Sequence, residues 1–250
     1  MTTTSIAMPA TVPATTTATA RQVYFVTGTD THVGKTLVSC LLLARASQQG
    51  HRCFALKPIS AGCTIDPNAD DTLYSEDAEQ LKQYASVELM DELVAPIKLL
   101  DATSPHIAAE QAGERLQASR VVGHVRAGLS TRASHILVEG AGGWRVPING
   151  QEYISDVAKQ LRLPVILVVA IRLGCLNHAL MTAELILRDG LPLAGWVANC
   201  LTNDEPFMAE QIATLSKKIN APCLGVIPYQ VEPDIHALAQ QICWPQEIKA

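Results

Sequence analysis

Residues 23–36 read VYFVTGTDTHVGKT and decide the fold. The apolar run 23–27 predicts a buried strand, and residues 35–49 have the apolar periodicity of a helix that ends at Gly50. A glycine-bearing loop between a strand and a helix places free backbone N–H groups where they bind phosphate. Five residues separate Gly28 from Gly34, one more than is usual, so the loop is a variant. The stretch therefore predicts a P-loop that holds ATP and Mg²⁺.

The end of this loop supplies the first predicted contacts. We expect Lys35 to reach the β- and γ-phosphates and the Thr36 hydroxyl to complete an octahedral Mg²⁺ site. Carboxylates should converge on the same ion, and the candidates are Asp77 and Glu139. Asp77 lies at a predicted helix start, where a helix cap explains it equally well. Glu139 ends a buried apolar run, so its charge requires a partner, either Mg²⁺ or Lys57.

Lys57 ends another predicted strand and precedes Pro58, so we expect its ammonium to point toward the same edge of the sheet. Its predicted role is electrostatic, because a fixed cation can steady a transferring phosphoryl group and orient an anionic nucleophile. The alternative is a surface lysine that extends from a strand end into solvent.

The rest of the chain alternates short apolar runs with longer amphipathic segments. This pattern predicts a single α/β domain of the P-loop NTPase fold, with a mostly parallel sheet and helices on both faces. Predicted strands cover 23–27, 53–56, 94–97, 136–138, 165–169, 193–199 and 223–226. Predicted helices cover 35–49, 77–84, 104–112, 116–132, 153–161, 175–188 and 206–219. No Pro/Gly linker divides the chain, so residues 21–250 are expected to form one domain behind a disordered tail of residues 1–20.

The predicted topology also locates a site, because ligands of an open parallel sheet bind outside the carboxyl ends of its strands. Five segments are expected to meet there, and they cover 28–36, 57–62, 139–143, 171–175 and 199–200. We therefore expect one site that draws on all five.

Composition argues against several other classes of protein. The formal net charge of -5 and the pI near 5.8 do not suit a nucleic-acid binder with a broad basic surface. The longest apolar run, 163–171, is too short to cross a bilayer. The seven cysteines are odd in number and contain no C-x-x-C pair, so neither a disulfide framework nor a zinc site is predicted. A cytoplasmic protein without nucleic-acid or membrane partners is expected.

From about residue 22 to about residue 229 the chain resembles the dethiobiotin synthetase family. The matching pieces are VTGTDT at 26–31, VGKT at 33–36, KP at 57–58, TSPH at 103–106, VEGAGGW at 138–144, LGC at 173–175, NH at 177–178 and GWVAN at 195–199. The resemblance implies a homodimeric ATP-using ligase of biotin biosynthesis. Its substrates would be 7,8-diaminononanoate, CO2 and ATP, and its products dethiobiotin, ADP and phosphate, formed through a carbamate and a carbamic-phosphoric mixed anhydride.

Residue roles follow from the resemblance by position. It implies Lys57 and Lys35 as catalytic residues and Thr36, Asp77 and Glu139 as Mg²⁺ ligands. The implied ATP-binding residues are Thr31, His32, Val33, Gly34, Lys35, Thr36, Asp77, Glu139, Gly140, Ala141, Gly142, Asn199, Cys200, Pro228, Tyr229 and Gln230. The implied substrate-binding residues are Ser60, Ala61, Gly174, Cys175, Leu176 and Asn177, the last four at a helix start that reaches the site across the dimer interface.

Three positions depart from the family pattern. His32 stands where glutamate is common, and its ring either contacts the nucleotide or points to solvent. Ala61 precedes Gly62 where a serine is usual, and the nearest hydroxyl is on Ser60. Gln211 stands where family members place a tyrosine toward the substrate carboxylate.

Three other functions were weighed. An ATP-dependent switch that positions plasmids or division machinery usually has a second lysine early in the loop, and positions 28–33 contain none. A cobyrinate-type amidoligase adds a glutaminase domain for which 250 residues leave no room. A nucleotide-binding interaction domain without chemistry would give Lys57 and Glu139 no purpose.

Overall fold

The computed structural model describes residues 21–65 and 72–248. The predicted disordered tail, residues 1–20, lies outside the described residues. A six-stranded sheet forms the centre, with β1 (Gln22–Gly28), β2 (Cys53–Leu56), β7 (His135–Gly143), β8 (Val165–Ile171), β9 (Leu193–Cys200) and β10 (Cys223–Ile227). Their order is β10-β9-β8-β1-β7-β2, and every pair is parallel. The α/β fold class is confirmed.

Helices cover both faces of the sheet. They are α1 (Lys35–Gln48), α2 (Glu76–Tyr84), α3 (Asp91–Val94), α4 (Pro105–Gln111), α5 (Ala118–Leu129), α6 (Ile154–Leu161), α7 (Cys175–Arg188), α8 (Met208–Lys218) and α9 (Ile235–Leu238). Short 3₁₀ turns follow at Ala239–Gln241 and Pro245–Glu247.

The strands face two separate hydrophobic cores because side chains alternate along a strand. Phe25 and Val138 pack into the core under α4 to α8. Tyr24 and Val26 pack into the opposite core with α1, α2 and α9, which buried Trp244 closes by donating Nε1–H to the Leu42 carbonyl at 2.9 Å. Among the described residues, no helix is both long and apolar enough to span a bilayer.

The predicted strand at 94–97 is wrong. This segment begins as the last residue of α3, and a strand follows only at β6 (Ile97–Leu99). Pro96 explains the change, because a proline disfavours a helical residue before it and lacks the N–H that would continue a helix. β6 pairs in parallel with β3 (Ile59–Ala61) in a small separate sheet.

Several predicted boundaries also shift. Two helices are shorter than expected, since the predicted 116–132 is α5 and the predicted 206–219 is α8. β7 runs four residues beyond Glu139, and its register against β1 changes between Val26 and Gly28. A second small sheet pairs β4 (Thr64–Ile65) with β5 (Leu73–Tyr74) in antiparallel fashion, directly before α2.

Candidate active site

A cavity of about 690 Å³ opens at the carboxyl ends of β1, β2 and β7. Ten of the residues predicted for the site border it: Thr31, His32, Gly34, Lys35, Thr36, Lys57, Ala61, Asp77, Ala141 and Gly142. Three of the five predicted segments, 28–36, 57–62 and 139–143, therefore meet as expected. A larger cavity of about 850 Å³ lies beyond the outer edge of β2. Its described lining lacks the loop and both predicted catalytic lysines, so the smaller cavity is the candidate site.

The loop between β1 and α1 is shaped by Gly34, whose φ of 91° lies in the left-handed region. A Cβ at this position would stand 2.2 Å from Asn199 Nδ2, so both the backbone angle and the space require glycine. Asn199 is buried, and its Nδ2 donates to the Val33 carbonyl at 2.9 Å. The end of β9 thus braces the loop from below, an arrangement that the sequence did not reveal.

Lys57 lies at the centre of a buried charge cluster. Its Nζ is 2.7 Å from Glu139 Oε1 and 2.7 Å from Asp77 Oδ2. Lys57 is only 4% exposed, and Glu139 is fully buried. The surface-lysine alternative is therefore wrong, and Glu139 finds the partner that its burial requires.

The Thr36 hydroxyl joins the same cluster. Its Oγ1 lies 2.8 Å from Glu139 Oε1 and 3.1 Å from Asp77 Oδ1, and its single proton can be donated to only one of them at a time. Ser39 Oγ donates to the other carboxylate oxygen of Glu139 at 2.8 Å. Ser39 was not among the predicted site residues, although its spacing of three from Thr36 on a helix places both on one face.

Asp77 is not the cap of α2. Ser75 is the N-cap residue, and its hydroxyl accepts from the Ala78 N–H at 3.3 Å. The Asp77 carboxylate is therefore available to Lys57 and Thr36, so the helix-cap alternative is wrong.

Burial and the neighbouring charges shift the pKa values of the residues in this cluster. Burial alone would lower the pKa of Lys57, but Glu139 and Asp77 outweigh it and the pKa is raised. Burial would raise the pKa of Asp77, yet Lys57 and the Thr36 hydrogen bond hold it below its usual range. Burial, together with repulsion from Lys57, lowers the pKa of Lys35 to about 8. Lys57 is thus held as a cation beside two carboxylates.

Arg172, at the end of β8, reaches the outer side of the loop. Its Nη2 lies 3.0 Å from Asp30 Oδ2, and Asp30 Oδ1 accepts from the Thr31 N–H at 2.8 Å. The Asp30 carbonyl accepts from Lys35 Nζ at 3.3 Å. The segment 171–175 therefore contacts the loop but does not border the cavity.

The residues expected near the nucleotide base follow β9 and β10. Cys200 is buried, whereas Pro228, Tyr229 and Gln230 are exposed. β9 and β10 lie two and three strands from β1, about 10 and 14 Å at the usual strand spacing. A nucleotide with its phosphates at the loop after β1 and its base near β9 or β10 would have to extend across this distance.

Of the residues expected to contact substrate, some border the cavity and others do not. Ala61 borders the cavity, but Ser60 does not; Ser60 is buried, and its Oγ accepts from Ser75 Oγ at 2.9 Å. This geometry disagrees with the expected contact from Ser60. The four residues Gly174 to Asn177 also lie away from the cavity of their own chain. Cys175 is buried there, with Sγ 3.2 Å from Gln211 Oε1.

Comparison with known proteins gives the family. A model of the family described as an AAA domain matches residues 22–234. The ATP-dependent dethiobiotin synthetase BioD of Cellvibrio japonicus is 50% identical over 208 residues, which are 83% of this chain and 90% of the relative. The enzyme of the same name from Pseudomonas aeruginosa is 47% identical over 219 residues, or 88% and 95% of the two chains. The chain belongs to the dethiobiotin synthetase family.

Solved structures agree on the fold. The septum site-determining protein MinD of Pyrococcus horikoshii, complexed with Mg-ADP, aligns with a TM-score of 0.51 at 17% identity over 91% of this chain and 88% of MinD. The signal recognition particle receptor FtsY of Elizabethkingia anophelis also gives 0.51, at 15% identity over 92% and 66%. At these identities the likeness concerns the P-loop fold alone, so it does not favour a positioning switch over the family shown by sequence.

Proposed function

We propose that this protein closes the ureido ring of dethiobiotin, using 7,8-diaminononanoate, CO2 and ATP and releasing ADP and phosphate. The observation that carries the proposal is the cation of Lys57, buried between Glu139 and Asp77 at the edge of the cavity that Lys35 and Thr36 also border. Family membership supplies the reaction class, and this cluster supplies the groups that the reaction needs.

The reaction concentrates negative charge at one place. One amine of the substrate adds CO2 and loses a proton to give a carbamate. A carbamate oxygen then takes the γ-phosphoryl group of ATP, which releases ADP and leaves a mixed anhydride. The second amine attacks the carbonyl carbon of that anhydride, the ring closes, and phosphate leaves. Fixed cations stabilise each of these charged states more than they stabilise the neutral amines.

We assign the two lysines of the site to different negatively charged groups. Lys35, in the loop, is assigned to the β- and γ-phosphates, and Lys57 to the carbamate and the transferring phosphoryl group. Lys57 is held in one position by two carboxylates at 2.7 Å, so little reorganisation is needed when charge develops. Thr31, His32, Val33 and the glycine-rich stretch Gly140, Ala141 and Gly142 are assigned to the phosphates as well.

The oxygen donors of Thr36, Asp77 and Glu139 suit Mg²⁺, which takes hard oxygen ligands. The hydroxyl lies within 3.1 Å of an oxygen of each carboxylate, so the three donors converge. Three protein oxygens are fewer than the six that Mg²⁺ prefers, so we assign the remaining positions to phosphate oxygens and water. Magnesium, when bound, offsets the charge of the phosphate oxygens.

The remaining ATP contacts are assigned to the base side of the sheet edge, with Asn199, Cys200, Pro228, Tyr229 and Gln230 around the base. Asn199 Nδ2 donates one of its two N–H groups to the Val33 carbonyl, so its side-chain oxygen is the atom that we assign to the nucleotide. The seven cysteines are free thiols, which fits the expected reducing cytoplasm.

A homodimer is part of the proposal. The outer surface around α7 exposes Leu173, which is 91% exposed, and Met181, which is 54% exposed. Apolar side chains of this size are often covered by a partner. Because Gly174, Cys175, Leu176 and Asn177 do not border the cavity of their own chain, a contact with substrate requires the cavity of a second copy. Light scattering should give twice the mass of one chain, and Met181→Glu should lower it; a monomeric wild type would contradict the dimer.

The decisive experiment is product formation. The purified protein is incubated with 7,8-diaminononanoate, bicarbonate, Mg²⁺ and ATP, and dethiobiotin is measured by mass spectrometry. We expect product from the wild type and about a hundredfold to a thousandfold less from Lys57→Ala. Lys98→Ala is the matched control, because Lys98 pairs with Asp91 outside the cavity. Circular dichroism and ATP binding confirm that Lys57→Ala is folded. A wild type that binds ATP without forming dethiobiotin would sink the proposal.

A further inference from the structure

Some hydroxyl groups around the cavity already make hydrogen bonds within the protein, and others do not. Thr36 faces the two carboxylates, and the Ser75 hydroxyl caps α2 and donates to Ser60. Thr103 and Ser104 also border the cavity, and within residues 21–65 and 72–248 neither hydroxyl makes a hydrogen bond. The fold therefore leaves these two hydroxyls free for a ligand.

Ser104 is unusual for its position. It is the N-cap residue of α4, where a serine normally accepts a hydrogen bond from a backbone N–H of the first turn. Here the side chain makes no such bond, and the backbone angles, φ −59° and ψ 140°, are those of the polyproline II region that a following proline favours. Pro105 at the first helical position removes one N–H, but it does not occupy the hydroxyl. Ser104 is half-buried and borders the cavity, so a ligand in the cavity can reach this residue.

The segment that carries Ser104 is firmly attached to the strand that follows Lys57. The Gly62 N–H donates to the Asp101 carbonyl at 3.1 Å, and the Cys63 N–H donates to the Leu99 carbonyl at 3.0 Å. A Cβ at Gly62 would come within 3.2 Å of Ala102 Cβ, so the two segments are in close contact. A hydroxyl on such a fixed support is suited to orient a ligand.

The reacting groups of the proposed substrate can form hydrogen bonds with a hydroxyl at the edge of the cavity. A neutral amine donates N–H and a carbamate accepts, and a serine hydroxyl satisfies either. Ala61 has no hydroxyl, and the buried Ser60 hydroxyl does not border the cavity but accepts a hydrogen bond from Ser75 inside the protein. We propose that Ser104, assisted by Thr103, contacts the reacting amine or carbamate of the diamine substrate and contributes to its recognition. This inference rests on the proposed function.

The test is a set of steady-state measurements. Ser104→Ala should raise the KM for the diamine about tenfold, the effect of losing one hydrogen bond, and leave the KM for ATP unchanged. Thr103→Val should have a smaller effect in the same direction. Ser104→Thr keeps a hydroxyl and should restore most of the affinity. Because the Ser104 side chain does not cap α4, Ser104→Ala should also leave the melting temperature unchanged.

Ser130→Ala is the matched control, since that exposed hydroxyl lies just after α5, donates to the Ala127 carbonyl and does not border the cavity. A Ser104→Ala enzyme with an unchanged KM for the diamine would overturn the inference, as would a Ser60→Ala variant that raises this KM in its place. A wild type that makes no dethiobiotin would instead overturn the proposed function, and the assignment of Ser104 with it. The two failures are therefore distinguishable.

Discussion

Two helices of this protein begin in nearly the same way and end up in different surroundings. α1 and α7 each have 14 residues, each follows one of two neighbouring parallel strands, and each starts after a glycine. Gly34 has φ 91° and Gly174 has φ 92°, and neither helix start has a side-chain cap. The backbone alone offers both starts as anion sites.

The neighbouring side chains make the difference. Lys35 and Thr36, in the first turn of α1, lie beside the charge cluster of buried Lys57 and Glu139 and half-exposed Asp77. At the start of α7, by contrast, Leu173 is almost fully exposed, and nothing lies within 4 Å of a Cβ placed on Gly174. The first start is completed within one chain, and the second is left open to whatever covers it. Charged groups from other segments of the same chain therefore surround the start of α1, and this is what distinguishes the two helix starts.

Removing the buried carboxylate beside α1 should give the largest effect. Glu139→Leu leaves Lys57 buried with a single partner, and we expect the free energy of unfolding to fall by about 3 kcal/mol. Urea denaturation measures this loss. The comparison variant is Asp30→Asn, which breaks the half-exposed pair with Arg172 near α7 and should cost less than about 1 kcal/mol. An equal loss in the free energy of unfolding of both variants would contradict the expectation that the buried carboxylate contributes more than the half-exposed ion pair.

Alanine substitutions of Gly34 and Gly174 should have different effects on ATP binding. Both substitutions by alanine incur the strain of a left-handed backbone, about 1–2 kcal/mol in the free energy of unfolding. Gly34→Ala additionally collides with Asn199 Nδ2, so ATP binding should be lost. Gly174→Ala meets no atom, so the Kd for ATP should match the wild type in calorimetry. An equal loss of ATP affinity in both variants would mean that α7 contributes to the nucleotide site of its own chain.

The sequence predicts the α1 side of this comparison better than the α7 side. A strand, a glycine-bearing loop and a Lys-Thr pair are local signals, so the loop and most strands of the sheet were predicted correctly. Glu139 could be named because an acid at the end of an apolar run needs a partner, whereas the position of Asp77 at a helix start left a cap as an equal alternative. The family resemblance itself is confirmed by relatives at up to 50% identity.

The sequence is less informative where a contact between distant segments decides the geometry. Ser60 and Ala61 are adjacent in sequence but differ in exposure to the cavity, because β3 pairs with β6 and sends alternate side chains to opposite sides. The brace from Asn199 to the loop joins residues 166 positions apart. In the proposed homodimer the contact of α7 with substrate depends on a second chain, and no local pattern within one chain encodes that geometry.

A change of pH should weaken the anchoring of α1 but not of α7. His135 is buried, stacks on His51 with ring centroids 4.3 Å apart, and lies 4.6 Å from Trp244, which holds α1 through Leu42. Burial, with repulsion from His51 and a smaller opposing effect of Glu247, lowers the pKa of His135 to about 4 from the ordinary 6.5.

The sign of the pH effect follows from these two pKa values. Between pH 6.5 and 4 the unfolded chain binds the proton and the folded chain does not, so this contribution to stability is complete above pH 6.5 and is lost as the pH falls. We expect His135 to lower the free energy of unfolding by about 1 kcal/mol between pH 7 and pH 5.5. His135→Gln should remove that slope in denaturation curves, whereas His178→Gln, on the exposed first turn of α7, should keep it. Hydrogen exchange at pH 5.5 should then rise in α1 and around Trp244 before it rises in α7; the reverse order would show that the two helices are not anchored differently.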